Sequence, residues 1–108
     1  MFRREVFALL AAFMASAQAF AGGTIEPGRA QELERLVRHD CGSCHGMTLK
    51  GGLGPNIRAQ RLAGASVEAL TEIILNGVAN TPMPPWRSLL SEKEARWVAE
   101  YLLREGAQ

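Results

Sequence analysis

Both cysteines of this 108-residue chain lie in one short segment, and a histidine directly follows the second. Cys41 and Cys44 are separated by two residues, and His45 comes next. Because residues three and four positions apart share one face of a helix, both sulfurs can reach one edge of a planar ligand while the imidazole turns toward its centre. This spacing is typical of covalent c-type haem attachment. The sequence therefore predicts one haem c, bound through both cysteines, with His45 as an axial iron ligand.

Other uses of paired cysteines fit this segment less well. A thioredoxin-like redox motif has the same spacing, but it lies in a βαβ unit, and no alternating strand pattern surrounds Cys41. A zinc site requires two further ligands, and the other histidine, His39, is expected to be solvated or to cap a helix. A disulfide across so short a loop removes little entropy from the unfolded chain. Thiol or disulfide chemistry is the alternative to haem attachment.

The N-terminal segment predicts export. Residues 1–5 carry Arg3 and Arg4, residues 6–15 are apolar, and the small residues at 17, 19 and 21 offer cleavage after Ala19 or Ala21. The apolar run is about half the length needed to span a bilayer, which favours a cleaved signal peptide over an anchor. We expect a signal peptide over residues 1–21, a mature domain over residues 22–108, a periplasmic location and no stable membrane insertion.

The mature region is small and balanced in charge. A domain of this size has little core of its own, so a covalently held porphyrin would supply apolar surface for other side chains to pack against. Arg3, Arg4 and Glu5 leave with the signal peptide, and the remaining acidic and basic residues balance. That balance argues against nucleic acid or anionic lipid as a partner.

Three helices are predicted in the mature region, and no strand pattern competes with them. The first begins near Pro27, a residue suited to a first helical turn, and runs to the cysteines. The second begins after the N-cap residue Ser66 and ends at Gly77. The third begins with Ser91 and Glu94, which have the spacing of a capping box. The sequence therefore predicts an all-α fold.

A methionine in the loop before the third helix is the candidate for the second axial ligand. Met83 lies between Pro82 and the pair Pro84 and Pro85, whose fixed φ angles restrict the loop. Soft thioether sulfur suits a haem iron that carries electrons. Met47 follows the attachment motif too closely to reach the opposite haem face. The alternative is that Met83 fills a gap in the core.

With these motifs the mature region resembles the class I single-haem bacterial cytochromes c. The motifs that carry the resemblance are the C-x-x-C-H-G segment 41–46, the turn Gly54-Pro55-Asn56, a middle helix ending at Gly77, Met83-Pro84, and a final helix ending Tyr101-Leu102. The resemblance implies three main helices and loops wrapped around one haem. It also implies thioether links at Cys41 and Cys44, axial ligands His45 and Met83, and a Pro55 carbonyl that accepts the Nδ1 hydrogen of His45.

Two loops narrow the resemblance further. The segments 51–57 and 81–86 are similar to those of the small c55X-type cytochrome encoded among the nitrite-reductase genes of denitrifying bacteria. That resemblance implies electron delivery to a periplasmic reductase with haem c and haem d, or a role in the synthesis or maturation of its haem d. We expect a monomeric electron carrier with redox-protein partners, such as nitrite reductase, and not an enzyme. If Met83 does not bind iron, an open-site haem enzyme or sensor is the alternative.

Overall fold

The structure, a computed structural model, describes residues 24–104. The predicted signal peptide over residues 1–21 lies outside this range. Between residues 24 and 104 the regular structure is helical and contains no strand, so the prediction of an all-α fold is confirmed. The elements are α1 (Pro27–Leu36), a π-helical turn (Val37–Cys41), α2 (Gly42–His45), α3 (Ala59–Leu62), α4 (Val67–Asn76) and α5 (Glu92–Arg104). No helix in this range is long and apolar enough to cross a membrane.

The first predicted helix is continuous to the cysteines but changes its geometry on the way. Pro27 begins α1, where its missing N–H costs no hydrogen bond. From Val37 the helix widens into a π-helical turn, in which the Gly42 N–H donates to the Val37 carbonyl five residues earlier. Sequence periodicity did not predict this turn. π-Helical turns of this kind are rare and occur frequently at functional sites.

The second predicted helix, α4, has both of its expected ends. The hydroxyl of Ser66 accepts a hydrogen bond from the Ala69 N–H at 3.0 Å, which is the predicted N-cap. Gly77 follows the last helical residue, Asn76, and its N–H donates to the Ile73 carbonyl at 2.8 Å. Both boundaries are therefore confirmed, and both are set by interactions within four residues.

The third predicted helix, α5, begins with the expected capping box. The Glu94 N–H donates to the Ser91 hydroxyl at 3.1 Å, and the Ser91 N–H donates to the Glu94 carboxylate at 2.9 Å. The same carboxylate also accepts a hydrogen bond from the guanidinium of Arg29 on α1. Glu94 therefore caps α5 and ties its start to the first helix.

A small core joins α1 and the π-helical turn to α4 and α5. Its largest fully buried side chains are Leu33, Val37, Leu75 and Val98. On α5, the rings of Trp97 and Tyr101 stack with centroids 5.3 Å apart. The buried apolar residues of the described chain form one small cluster, in keeping with the expected need for packing against a cofactor.

Replacing Glu94 with glutamine is expected to lower the free energy of unfolding at pH 7 by about 1 kcal/mol. The hydrogen bond from Arg29, followed by the Ser91 N–H, lowers the pKa of Glu94. A carboxylate with a lowered pKa stabilises the fold above its ordinary pKa, and this contribution is lost as the pH falls through its folded-state pKa. Acidification should therefore destabilise the wild-type protein more than the variant, as measured by urea unfolding of the haem-loaded protein between pH 7 and pH 3.

Glu92→Gln is the matched control for this variant. It removes the same charge from the first turn of α5, where both carboxylates meet the positive end of the helix. An equal loss of stability in both variants would show that the helix terminus, and not the contact with Arg29, accounts for the effect.

Candidate haem-attachment site

The residues of the C-x-x-C-H motif lie on one continuous helical stretch, as predicted. Cys41 is the last residue of the π-helical turn, and Cys44 and His45 lie in α2. Cys44 is exposed, whereas Cys41 and His45 are partly buried. No disulfide joins Cys41 and Cys44 in the described part of the chain. Two sulfurs and an imidazole are therefore presented together from one and a half turns of helix.

The imidazole of His45 is held in a defined tautomer. Its Nδ1 lies 2.7 Å from the carbonyl oxygen of Pro55. A carbonyl can only accept a hydrogen bond, so Nδ1 carries a hydrogen, and in the neutral ring Nε2 is the nitrogen with the free lone pair. Such a bond orients a metal-binding histidine and raises its basicity. The Pro55 carbonyl therefore occupies Nδ1 and leaves Nε2 as the ring nitrogen that can bind a metal.

Gly54 allows the loop to lie directly against this ring. A Cβ at Gly54 would come within 2.8 Å of both Nδ1 and Cε1 of His45, which is closer than real Cβ contacts allow. Any larger residue at 54 would push the ring away or move the loop. From the sequence, Gly54 was identified only as part of the Gly-Pro-Asn turn, and its contact with the ring was not predicted.

The loop that carries Pro55 is hydrogen-bonded to the end of α2. The Gly54 N–H donates to the Cys44 carbonyl at 2.8 Å, and the Gly51 N–H donates to the His45 carbonyl at 2.7 Å. The last carbonyls of a helix have no partner within the helix, and here the loop supplies one to each. The attachment helix and the Pro55 carbonyl are therefore fixed relative to each other.

Met83 lies on a different segment, between α4 and α5. It is partly buried, and its carbonyl accepts a hydrogen bond from the Val78 N–H at 3.2 Å. Its position is therefore set by the end of α4 and not by the attachment helix. The assignment of Met83 as the second axial ligand stays a prediction.

The thiol-redox alternative is not supported by the surroundings of Cys41. Burial raises the pKa of the Cys41 thiol to about 11, and the negative charge of Asp40 adds to this effect. Cysteines that react as thiolates in redox motifs have a lowered pKa. Zinc binding is not supported either, because no three His, Cys, Asp or Glu side chains cluster among residues 24–104.

The donor set and its surroundings fit a covalently bound haem. Nε2 of His45 suits iron, and both thiols precede His45 on the same helical stretch. Large apolar side chains are exposed on the segments next to the motif and before Met83, with exposed fractions of 75% for Leu53, 43% for Ile73 and 42% for Val78. A flat apolar macrocycle would find both its attachment points and apolar contacts here.

Comparison with known proteins identifies the family. A family model described as Cytochrome C oxidase, cbb3-type, subunit III matches residues 28–102. Cytochrome c55X from Paracoccus denitrificans is 54% identical over 82 residues, which cover 76% of this chain and 80% of that protein. The chain belongs to the cytochrome c55X family. Membership implies a covalently bound haem c and a role as an electron carrier, so the predicted resemblance is confirmed.

Solved structures confirm the fold of this chain. A c-type cytochrome named NirC aligns with a TM-score of 0.74 and 42% identity, over 78% of this chain and all of NirC. The class I cytochrome c fold is therefore confirmed. Dihydro-heme d1 dehydrogenase NirN in complex with DHE aligns with a TM-score of 0.61 and 31% identity, over 66% of this chain and 15% of NirN. The cytochrome c55X chain thus resembles one small part of NirN.

Proposed function

We propose that this member of the cytochrome c55X family is a periplasmic one-electron carrier with a single haem c. In this proposal Cys41 and Cys44 form the thioether links, and Nε2 of His45 and the sulfur of Met83 bind the two faces of the iron. The observation that carries the proposal is the 2.7 Å contact between Nδ1 of His45 and the Pro55 carbonyl, which leaves Nε2 as the ring nitrogen that can bind the iron.

The protein's own residues would make this centre suitable for electron transfer. The haem, when bound, supplies an iron that accepts and releases one electron. His45 is held by Pro55 and by the loop against its ring, so its orientation need not change when the charge of the centre changes. A thioether from Met83 would favour the reduced metal and would occupy the position at which an external ligand could otherwise bind. Binding by both side chains therefore supports electron transfer over catalysis at the iron.

The partner we propose is the nitrite reductase that carries haem c and haem d. The similarity to cytochrome c55X and to NirC supports this partner. Met47, two residues after the histidine of the attachment motif, is apolar and 67% exposed. An exposed apolar side chain next to the attachment motif suits the small, short-lived interfaces of redox proteins.

A second candidate function is assistance in the maturation of haem d. The observation that favours it is the similarity to part of NirN, whose description names dihydro-haem d1 as the compound on which that enzyme acts. In this function the electron carried by cytochrome c55X would serve cofactor synthesis and not nitrite reduction.

Deletion of the gene separates these two functions. For electron delivery we expect slower nitrite reduction by cells, while nitrite reductase purified from them keeps its full content of haem d. The measurements are nitrite consumption and extraction of haem d from the purified reductase, each with the wild-type gene restored as a control. Reductase that lacks haem d would contradict electron delivery as the main role and would support maturation. Unchanged values of both would contradict both candidates.

A further inference from the structure

Gly77, the residue that ends α4, lies directly against the backbone of the Met83 segment. Its φ of 67° and ψ of −169° fall in a region that is essentially restricted to glycine. A Cβ at this position would lie 2.6 Å from the Met83 carbonyl oxygen and 2.8 Å from backbone atoms of Pro84 and Pro85. Because these are backbone atoms, they cannot turn aside as a flexible side chain would. A side chain at 77 would therefore displace the segment that carries Met83.

Both backbone polar groups of Met83 are bonded within the same turn. Its carbonyl accepts from the Val78 N–H at 3.2 Å, and its N–H donates to the Thr81 hydroxyl oxygen at 3.3 Å. The Thr81 hydroxyl in turn donates to the Val78 carbonyl at 2.8 Å. We refer to residues 77–83 as the Met83 turn. Its hydrogen bonds fix the Met83 backbone relative to the end of α4.

The chain that follows Met83 is also attached to α4. The Trp86 N–H donates to the Ile74 carbonyl at 3.0 Å, and the Arg87 N–H donates to the Leu75 carbonyl at 3.2 Å. These bonds occupy carbonyls in the last turn of the helix, which have no partner within it. Hydrogen bonds before and after Met83 in the sequence therefore attach its segment to the end of α4.

We propose that Gly77 and Thr81 are positioning residues that hold the Met83 sulfur at the haem iron. This inference rests on the proposed function, in which Met83 is an axial ligand. The neighbouring prolines restrict φ within the segment, but they do not fix its distance from α4. That distance is set by the contact at Gly77 and by the hydrogen bonds of Thr81.

The test is Gly77→Ala in the haem-loaded protein. We expect loss of most of the weak far-red absorption band that methionine bound to ferric haem produces. The affinity of the ferric protein for added imidazole should rise by about tenfold, because a larger fraction of molecules has the methionine detached. Gly64→Ala is the matched control. Gly64 has a φ of +90°, and no atom lies within 4 Å of the position that a Cβ would take there, so the substitution carries a similar backbone penalty without the contact.

Thr81→Val provides a second variant that is expected to fold, because Thr81 is exposed and valine has nearly the same shape. It removes both side-chain hydrogen bonds of the turn, and we expect imidazole affinity to rise by about threefold. This variant decides the outcome if Gly77→Ala fails to fold. The inference is overturned if Gly77→Ala, or Thr81→Val where Gly77→Ala does not fold, has the same far-red band and the same imidazole affinity as the wild type. If the wild-type protein itself lacks the band, Met83 is not a ligand, and that result overturns the proposed ligand set together with this inference.

Discussion

Replacement of both Cys41 and Cys44 with alanine is expected to abolish covalent haem attachment and to leave little folded protein. The two thiols are the groups on the described chain that can form thioether bonds to the vinyl groups of a haem. The buried apolar residues between 24 and 104 form one small cluster, so we expect much of the apolar contact area to come from the haem. The measurements are acid-acetone extraction, which leaves covalent haem with the polypeptide, and far-ultraviolet circular dichroism of protein exported together with the haem-attachment machinery.

Ser43→Ala is the control for the cysteine variant. Ser43 lies between the two cysteines and is exposed, and its hydroxyl donates to the Asp40 carbonyl at 2.7 Å. We expect this variant to retain its haem and its yield. A normal yield of stable, haem-free protein from the cysteine variant would contradict the structural role of the haem, and haem retained after extraction would contradict attachment at Cys41 and Cys44.

The helix ends could be predicted from the sequence because they depend on contacts between near neighbours. Ser66 caps α4 through an N–H three residues away, and Ser91 and Glu94 bond to each other across the same spacing. The π-helical turn before Cys41 could not be predicted in this way. Its residues continue the apolar pattern of α1, and nothing in that pattern distinguishes a hydrogen bond to the fifth preceding residue from one to the fourth.

In the candidate site, too, the features that depend on near neighbours in sequence could be predicted and the others could not. The attachment motif is local, so its spacing alone placed both sulfurs and the imidazole on one helical stretch. The role of Pro55 came from resemblance, and its carbonyl does lie in contact with His45. The close approaches of Gly54 to His45 and of Gly77 to Met83 join segments several residues apart, and they depend on how the loops fold back. A glycine in a sequence does not reveal which atoms will pack against it.

Met83→Ala is expected to leave the haem covalently attached but to lower its reduction potential and open the iron to external ligands. A thioether stabilises ferrous over ferric iron, and alanine has no donor to replace it. Each tenfold weakening of the preference for ferrous over ferric iron lowers the potential of a one-electron centre by about 59 mV. We expect the potential of Met83→Ala to fall by at least this amount. The measurements are a redox titration, the far-red absorption band of the ferric protein and binding of carbon monoxide to the ferrous protein.

Met47→Ala is the matched control because it removes the same side chain from an exposed position next to the attachment motif. Its potential and its exclusion of carbon monoxide should equal those of the wild type. If Met83→Ala also behaves like the wild type, another group binds the second face of the iron. If instead the wild-type protein already binds carbon monoxide, that face is open, and the open-site enzyme or sensor becomes the better interpretation. Met83→Ala thus tests whether Met83 is the group that binds the second face of the iron. Carbon monoxide binding by the wild type tests whether any group binds there. A potential measured on the wild type would answer neither question.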